Sequence, residues 1–167
     1  MIRRLAAIAL VLVAALAVYL LLVRDKTVTA TVHVSRPAAT LTSGEETVVI
    51  STEGREIPWY PLGERTDLPA LPEAELPAGG RLSGPMLEQA RVLGAAPRPL
   101  RPYVERSRYG ERGVEVVLDA GPVLRFGDAT QAKRKWRAAA AVIASDPTAI
   151  EDGYVDLLAP SRAAKGG

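Results

Sequence analysis

Residues 113–128 read GVEVVLDAGPVLRFGD, and this stretch decides the fold expected for the chain. Every second residue from Val114 to Leu118 is apolar, and residues 123–126 resume the pattern of a strand. Residues 119–122 supply the Asp, Gly and Pro that favour a turn between the two strands. The stretch therefore predicts a β-hairpin.

A helix is predicted to follow this hairpin. Gly127 stops the second strand, Asp128 is placed to cap the helix together with Gln131, and Asp146-Pro147 ends it. Apolar and basic residues form two faces at helical spacing: Ala132, Trp136, Ala140 and Ile143 on one, and Lys133, Arg134, Lys135 and Arg137 on the other. We therefore expect Trp136 to be a core residue and not a platform for a ligand.

The segment from Tyr154 to Leu158 predicts one more strand. At the strand period of two, Tyr154, Asp156 and Leu158 share one face, while Val155 and Leu157 point into the core. As the last strand it is expected at a sheet edge, where unpaired backbone groups can accept a strand from another protein. An internal strand, or an edge protected by the tail of the chain, is the alternative.

Residues 5–23, from Leu5 to Val23, carry no charged residue. A helix of this length spans about 28 Å at about 1.5 Å per residue, which is enough to cross a membrane once. Arg3 and Arg4 in the short arm before it favour a cytoplasmic amino terminus and an extracytoplasmic remainder. We therefore predict an uncleaved transmembrane signal anchor, with a cleaved signal peptide as the alternative.

Between the anchor and the hairpin, the pattern predicts short strands and one helix. Residues 27–34 alternate strictly, and residues 38–41 and 46–51 predict strands on either side of Ser43-Gly44. Pro85 and the apolar spacing of residues 86–93 predict a helix. Farther on, residues 100–106 are expected to form a strand and residues 107–113 a polar turn.

The formal charge of +2 does not indicate nucleic-acid binding, because Arg3 and Arg4 account for it and the exported part is neutral. The basic helix face is expected to be a solvated surface, with an acidic partner or anionic lipid as the alternative. The chain has no cysteine, which excludes disulfides, thiol catalysis, lipoprotein acylation and zinc-thiolate sites.

No constellation of residues predicts catalysis. His33 is the single histidine and has no second histidine or cysteine with which to form a triad or a metal site. The acidic pairs Glu45-Glu46 and Glu151-Asp152 lie in turn-like sequence, where solvation is their expected role. We therefore expect no catalytic residue, no metal and no cofactor.

The order of these segments resembles the carboxy-terminal β domain of the bacterial cell-division protein FtsQ, called DivIB in Gram-positive bacteria. The resemblance rests on residues 117–128, on Lys135-Trp136 with its apolar helix, and on the Val-Asp-Leu sequence at 155–157. Residues 34–38, Val-Ser-Arg-Pro-Ala, resemble the junction that closes the family's POTRA module. Only residues 24–27 precede the strand that leads to this junction, so the resemblance implies a truncated POTRA module.

The resemblance and the residue patterns together predict an α+β fold: an N-terminal transmembrane helix followed by a small mixed extracytoplasmic β domain with two short helices. The expected organisation is a cytoplasmic arm at 1–4, the anchor at 5–23, a POTRA-like remnant at 24–41, the FtsQ-like β domain at 42–160 and a polar tail at 161–167.

The function that the resemblance implies is a non-enzymatic, single-pass membrane scaffold of the divisome, located at the division septum. Its partners would be FtsB-like and FtsL-like proteins, with no nucleic acid and no small-molecule substrate, and Tyr154, Asp156 and Leu158 would contact the partner. The family often has Arg and an aromatic residue after Val-Asp-Leu, whereas this chain has Leu158 and Ala159. An anchored envelope enzyme acting on peptidoglycan and a generic envelope binding protein are the alternatives.

Overall fold

The computed structural model describes residues 35–63, 67–119, 121–145, 153–159 and 164–166. The elements, in chain order, are β1 (Pro37–Ser43), β2 (Glu46–Ser51), α1 (Gly84–Gly94), a 3-10 helix (Arg98–Tyr103), β3 (Val104–Gly110), β4 (Gly113–Leu118), β5 (Val123–Gly127), α2 (Ala132–Ser145), β6 (Tyr154–Asp156) and β7 (Ala164–Gly166). They form a small mixed α+β domain.

The fold class predicted from the sequence is wrong in its transmembrane helix. Within the part of the chain that the structure describes, no helix has the length and apolar character needed to cross a membrane. The predicted anchor at 5–23 and the predicted strand at 27–34 lie outside the described residues. The fold described here is the mixed α+β domain alone.

Five of the strands form one mixed sheet in the order β3-β4-β5-β6-β7. The pairs β3-β4, β4-β5 and β6-β7 are antiparallel, and β5-β6 is parallel. The β4–β5 pair confirms the hairpin predicted from residues 113–128. Since α2 connects β5 to β6, the chain returns to the same end of the sheet before β6 begins, which is how a helical crossover makes two strands parallel.

The predicted strands around Ser43-Gly44 are confirmed as a separate two-stranded hairpin, β1–β2. Residues 67–71, which follow this hairpin in the chain, pair with β1. Thr40 N–H donates to the carbonyl of Pro69 over 3.0 Å, and Leu71 N–H donates to the carbonyl of Thr40 over 2.8 Å. This segment is therefore ordered by backbone pairing although it forms no named strand.

The core lies between the inner face of the five-stranded sheet, the two α-helices and the β1–β2 hairpin. Its largest fully buried side chains are Trp136, Phe126, Leu41, Ile50, Leu93, Leu124 and Leu157. Burying a side chain of this size contributes roughly 1.5–3 kcal/mol. The prediction that Trp136 is a core residue is confirmed.

The start of α2 differs from the prediction that Asp128 and Gln131 cap the helix together. The helix begins at Ala132, and Gln131 precedes it with a φ of 56°. The Asp128 carboxylate instead accepts hydrogen bonds from Thr130 N–H over 3.0 Å and from the Lys135 amine over 2.9 Å. It closes the turn between β5 and α2 and does not cap the helix.

Lys135 is buried, at 4% exposure, although the sequence pattern places it on the basic face of α2. Its amine donates to the carbonyl oxygens of Phe126 over 2.8 Å and Asp128 over 3.0 Å, in addition to the Asp128 carboxylate. The Asp128 carboxylate accepts hydrogen bonds from Lys135 and from Thr130, and these two bonds, the first more than the second, lower the pKa of the Asp128 carboxyl below its ordinary value. The Lys135 side chain thus fixes the end of β5 to α2.

The strand and turn predicted at 100–106 and 107–113 are shifted in the structure. Residues 98–103 form the 3-10 helix, the strand β3 runs from Val104 to Gly110, and only Glu111 and Arg112 remain as the turn into β4. β3 pairs with β4 along its whole length, with an irregularity between Val104 and Arg106.

Candidate partner-binding site

The last predicted strand is β6, and its side chains alternate as the sequence predicts. Val155 and Leu157 are buried in the core. Tyr154 and Asp156 lie on the opposite face and are half-buried, and Leu158 is 50% exposed. All three residues predicted to contact a partner therefore have exposed surface, while their neighbours hold the strand to the core.

In the structure β6 is an internal strand, which was the alternative to a sheet edge. It pairs with β5 on one side and with β7 on the other. β7 lies within the stretch 161–167 that the sequence pattern assigns to a polar tail. The outer strands of this sheet are thus β3 and β7.

The backbone of β6 presents its polar groups to β5 and β7 alternately. Leu157 N–H donates to the carbonyl of Arg125 over 2.9 Å, and the carbonyl of Gly153 accepts from Val123 N–H over 3.1 Å. Because successive residues of a strand direct their N–H and C=O groups to opposite sides, Tyr154 and Asp156 direct theirs toward β7. These two residues hold the backbone groups that a strand beside β6 needs.

β7 occupies this position with only three residues. Tyr154 is opposite Gly166 and Asp156 is opposite Ala164, so these two pairs exchange the hydrogen bonds. Lys165, between them, directs its N–H and C=O to the outer side, which pairs with none of the described residues. Among the described residues, the outer side of β7 therefore offers an added strand the backbone groups of one residue. Without β7, the exposed side of β6 would offer those of two.

The strand ends at Asp156, two residues before the predicted end. The Asp156 carboxylate accepts a hydrogen bond from Leu158 N–H over 2.9 Å, which bends the chain after the strand. Leu158 then packs against the backbone of Gly127, where an added Cβ would overlap with the Leu158 side chain. Leu158 does not continue the exposed face of Tyr154 and Asp156 in an extended strand.

A row of alternating charges crosses the outer face of the sheet next to Tyr154. The Glu115 carboxylate contacts the Arg108 guanidinium at 2.7 Å and lies 3.5 Å from that of Arg125. The Arg125 guanidinium carbon lies 3.6 Å from the centre of the Tyr154 ring, a cation–π contact. The buried Nε of Arg125 has no hydrogen-bond partner within the described part of the chain. The cation–π contact with Arg125 places the face of the Tyr154 ring against this row of charges.

Arg108, Glu115 and Arg125 were not among the predicted site residues. The signal that could have identified Glu115 and Arg125 is their position within strands at the outward-facing phase of the period-two pattern. Their convergence with Tyr154 depends on the parallel pairing of β5 with β6, which places Arg125 opposite Asp156, two residues beyond Tyr154 on the same face of the sheet.

Of the other candidates for chemistry, the pair Glu45-Glu46 lies within the described part of the chain. Glu45 and Glu46 are exposed at the tip of the β1–β2 hairpin, and His33, Glu151 and Asp152 lie outside the described residues. Among the side chains that the structure describes, no three His, Cys, Asp or Glu residues are grouped so that they could hold a metal ion.

Comparison with protein-family models, with curated proteins and with solved structures gives no match for this chain.

Proposed function

We propose that this chain is a non-enzymatic scaffold of the bacterial divisome, of the FtsQ and DivIB kind. Its domain would lie outside the cytoplasm at the cell membrane, where the β6–β7 end of the sheet binds an FtsB-like partner, which acts together with an FtsL-like protein. The observation that carries the proposal is the three-residue strand β7, which is the element beside the backbone of β6 at this end of the sheet, as far as the structure describes the chain.

The partner strand is proposed to replace β7 and to pair directly with β6. β7 has the sequence Ala-Lys-Gly, and these residue types are depleted in strands. Replacement makes available the backbone groups of Tyr154 and Asp156, while addition outside β7 would use those of Lys165 among the three described residues of that strand. Since each backbone pair contributes to affinity in strand addition, pairing with β6 gives the more stable complex.

Side chains beside β6 would supply the specificity. Tyr154 is held by Arg125, so its ring loses little conformational entropy when a partner packs on it. Arg108 lies farther along the same charged row and is mostly exposed. A partner strand with an apolar residue over Tyr154 and an acidic residue near Arg108 would complement this face.

The binding test is a pull-down of the full chain with an FtsB-like protein, comparing the wild type with a variant lacking residues 161–167. Removing β7 exposes β6, and we expect binding at least as strong as that of the wild type. Loss of binding in this variant would contradict replacement of β7. Tyr109→Ala is the control, because Tyr109 is an exposed residue on β3, at the opposite edge of the sheet.

The cellular test is the position of a fluorescent fusion of the full chain in dividing cells. Enrichment at midcell is expected, and an even distribution in dividing cells would contradict a role in division. An alkaline phosphatase fusion after Gly167 tests the compartment, because this enzyme is active only outside the cytoplasm. If the chain binds an FtsB-like protein but is not enriched at midcell, the strand-addition proposal would stand and the proposed role in division would fail.

A further inference from the structure

A concave surface of about 600 Å³ lies between the end of α1, the start of α2 and the β1–β2 hairpin. We call it the basic groove, because its charged lining residues are Arg36, Arg91, Lys133, Arg134 and Arg137. Of the lining residues that the structure describes, none is acidic and none belongs to β6 or β7. Its volume is within the range of sites for small ligands.

Most of this positive charge has no carboxylate partner within the part of the chain that the structure describes. Glu88, just outside the groove, contacts the Arg91 guanidinium at 3.0 Å and also accepts from Ala129 N–H over 2.8 Å. Over the described part of the chain, Arg36, Lys133, Arg134 and Arg137 form no ion pair with a carboxylate, although Arg134 contacts the side-chain oxygen of Gln131 at 3.4 Å. Four cations therefore face one cavity without a paired carboxylate among the described residues.

The spacing of these cations along α2 is unfavourable for the isolated helix. Lys133 and Arg137 are four residues apart and share one side of the helix, where like charges repel. Arg134 stands beside them and adds to the repulsion. An anion bound in the groove would reduce this repulsion, so a ligand that carries several negative charges would stabilise the groove.

The rest of the lining restricts the kind of anion. None of the described lining residues is aromatic, so none offers a ring on which a base could stack, and those near α1 include Gly94 and Ala95. These small residues offer no large apolar surface for an acyl chain. Four of the five cations are arginines, whose planar guanidinium groups bind phosphate through paired hydrogen bonds.

We propose that the basic groove binds a compact phosphate anion with two or more negative charges, either free in solution or as the head group of an anionic lipid whose chains remain outside. This site is separate from strand addition at β6, and each can be tested without the other.

The first test is calorimetric titration of the full chain with pyrophosphate. Arg134→Gln combined with Arg137→Gln should weaken binding about a hundredfold, because each charge-assisted contact is worth about tenfold or more. The matched control is Arg98→Gln combined with Arg112→Gln, which removes the same charge from exposed positions outside the groove and should leave the affinity within about twofold. Equal affinities of the two double variants would overturn the proposal.

The second test distinguishes the source of the phosphate. Flotation with vesicles of phosphatidylcholine, with and without phosphatidic acid, measures head-group binding, because the phosphate monoester of phosphatidic acid can carry two negative charges; the apolar segment 5–23 is the same in every variant. A gain with phosphatidic acid that the groove variant loses indicates a lipid head group. Pyrophosphate binding without such a gain indicates a free phosphate.

Failure of both ligands to bind would overturn the proposal. So would a polyglutamate peptide that competes as well as pyrophosphate, because the groove would then recognise negative charge and not phosphate. Circular dichroism of each variant establishes that the comparison is between folded proteins; the substituted groove residues Arg134 and Arg137 are exposed, so folding is expected to persist.

Discussion

The indole N–H of Trp136 donates a hydrogen bond to the carbonyl oxygen of Val92 over 2.8 Å, and both side chains are fully buried. The same indole packs against the ring of Phe126, with the ring centres 5.0 Å apart and the planes tilted by 52°. One side chain of α2 thus joins the end of α1 to β5, and the relative position of the two helices depends on it.

Replacing Trp136 with Phe should lower the free energy of unfolding by about 2–4 kcal/mol. The smaller ring leaves a cavity and removes the donor for the Val92 carbonyl in a buried site. Urea denaturation followed by circular dichroism measures the change. Trp59→Phe is the control, because Trp59 is 72% exposed and its replacement should change stability by less than about 0.5 kcal/mol. Similar losses in both variants would contradict the role assigned to Trp136.

Lys135→Met should destabilise the domain, whereas Lys133→Met should not. Methionine preserves much of the length of the Lys135 side chain but leaves the carbonyl oxygens of Phe126 and Asp128 without this donor, at a cost of about 1–3 kcal/mol. Lys133 is exposed on the same helix and loses only solvation. Thermal unfolding of the two variants side by side measures the difference, and equal melting temperatures would contradict it.

The Asp128 carboxyl should make part of the stability dependent on acid pH. Its pKa is lowered from 3.8 in the folded state, chiefly by the hydrogen bond from Lys135. A lowered pKa in the folded state means that the contribution is present above pH 3.8 and is lost as the pH falls through the folded value. Urea denaturation at a series of pH values from 7 down to 2 should therefore show a steeper loss of stability below pH 3.8 for the wild type than for Asp128→Asn. The same slope in both proteins would contradict this assignment.

The parts of the fold that were predictable are those with a local signal. The alternation in β4 and β5 and the turn between these strands can be recognised from residues that are close together in the sequence. The helical spacing of apolar residues around Trp136 is likewise a local pattern. β3 has a mostly polar sequence, VERSRYG, because as an outer strand it buries few side chains. Its polar composition therefore resembles that of a loop.

Two features of the candidate surfaces could not be read from local pattern. β7 has no residue that favours strands, and it forms because β6 directs unpaired backbone groups toward it. Lys135 is buried because the turn after β5 brings backbone and carboxylate oxygens together around its amine, which happens only in the folded chain. In both cases the tertiary structure supplies the hydrogen-bond partner.

Gly113→Ala should destabilise the β4–β5 hairpin far more than Gly44→Ala destabilises β1–β2. Both glycines have a positive φ, 91° and 61°, which costs another residue about 1–2 kcal/mol. An added Cβ at Gly113 would also overlap with the backbone of Gly127, whereas at Gly44 it meets nothing within 4 Å. We expect about 1 kcal/mol for Gly44→Ala and at least about 3 kcal/mol for Gly113→Ala, measured by urea denaturation. Equal effects would show that the strand pair can shift to admit the methyl group.

Asp156→Pro should abolish binding of an FtsB-like partner while leaving the core folded. The Asp156 N–H is directed away from β5, so proline removes a donor that the partner strand requires and spares the pairing of β5 with Leu157. Asp156→Asn is the matched control, because it retains both the backbone donor and a side-chain oxygen that can accept from Leu158 N–H. Pull-downs should show at least about a tenfold loss for the proline variant and near wild-type binding for the asparagine variant. Circular dichroism checks the fold, and full binding by a folded Asp156→Pro protein would rule out strand addition at β6.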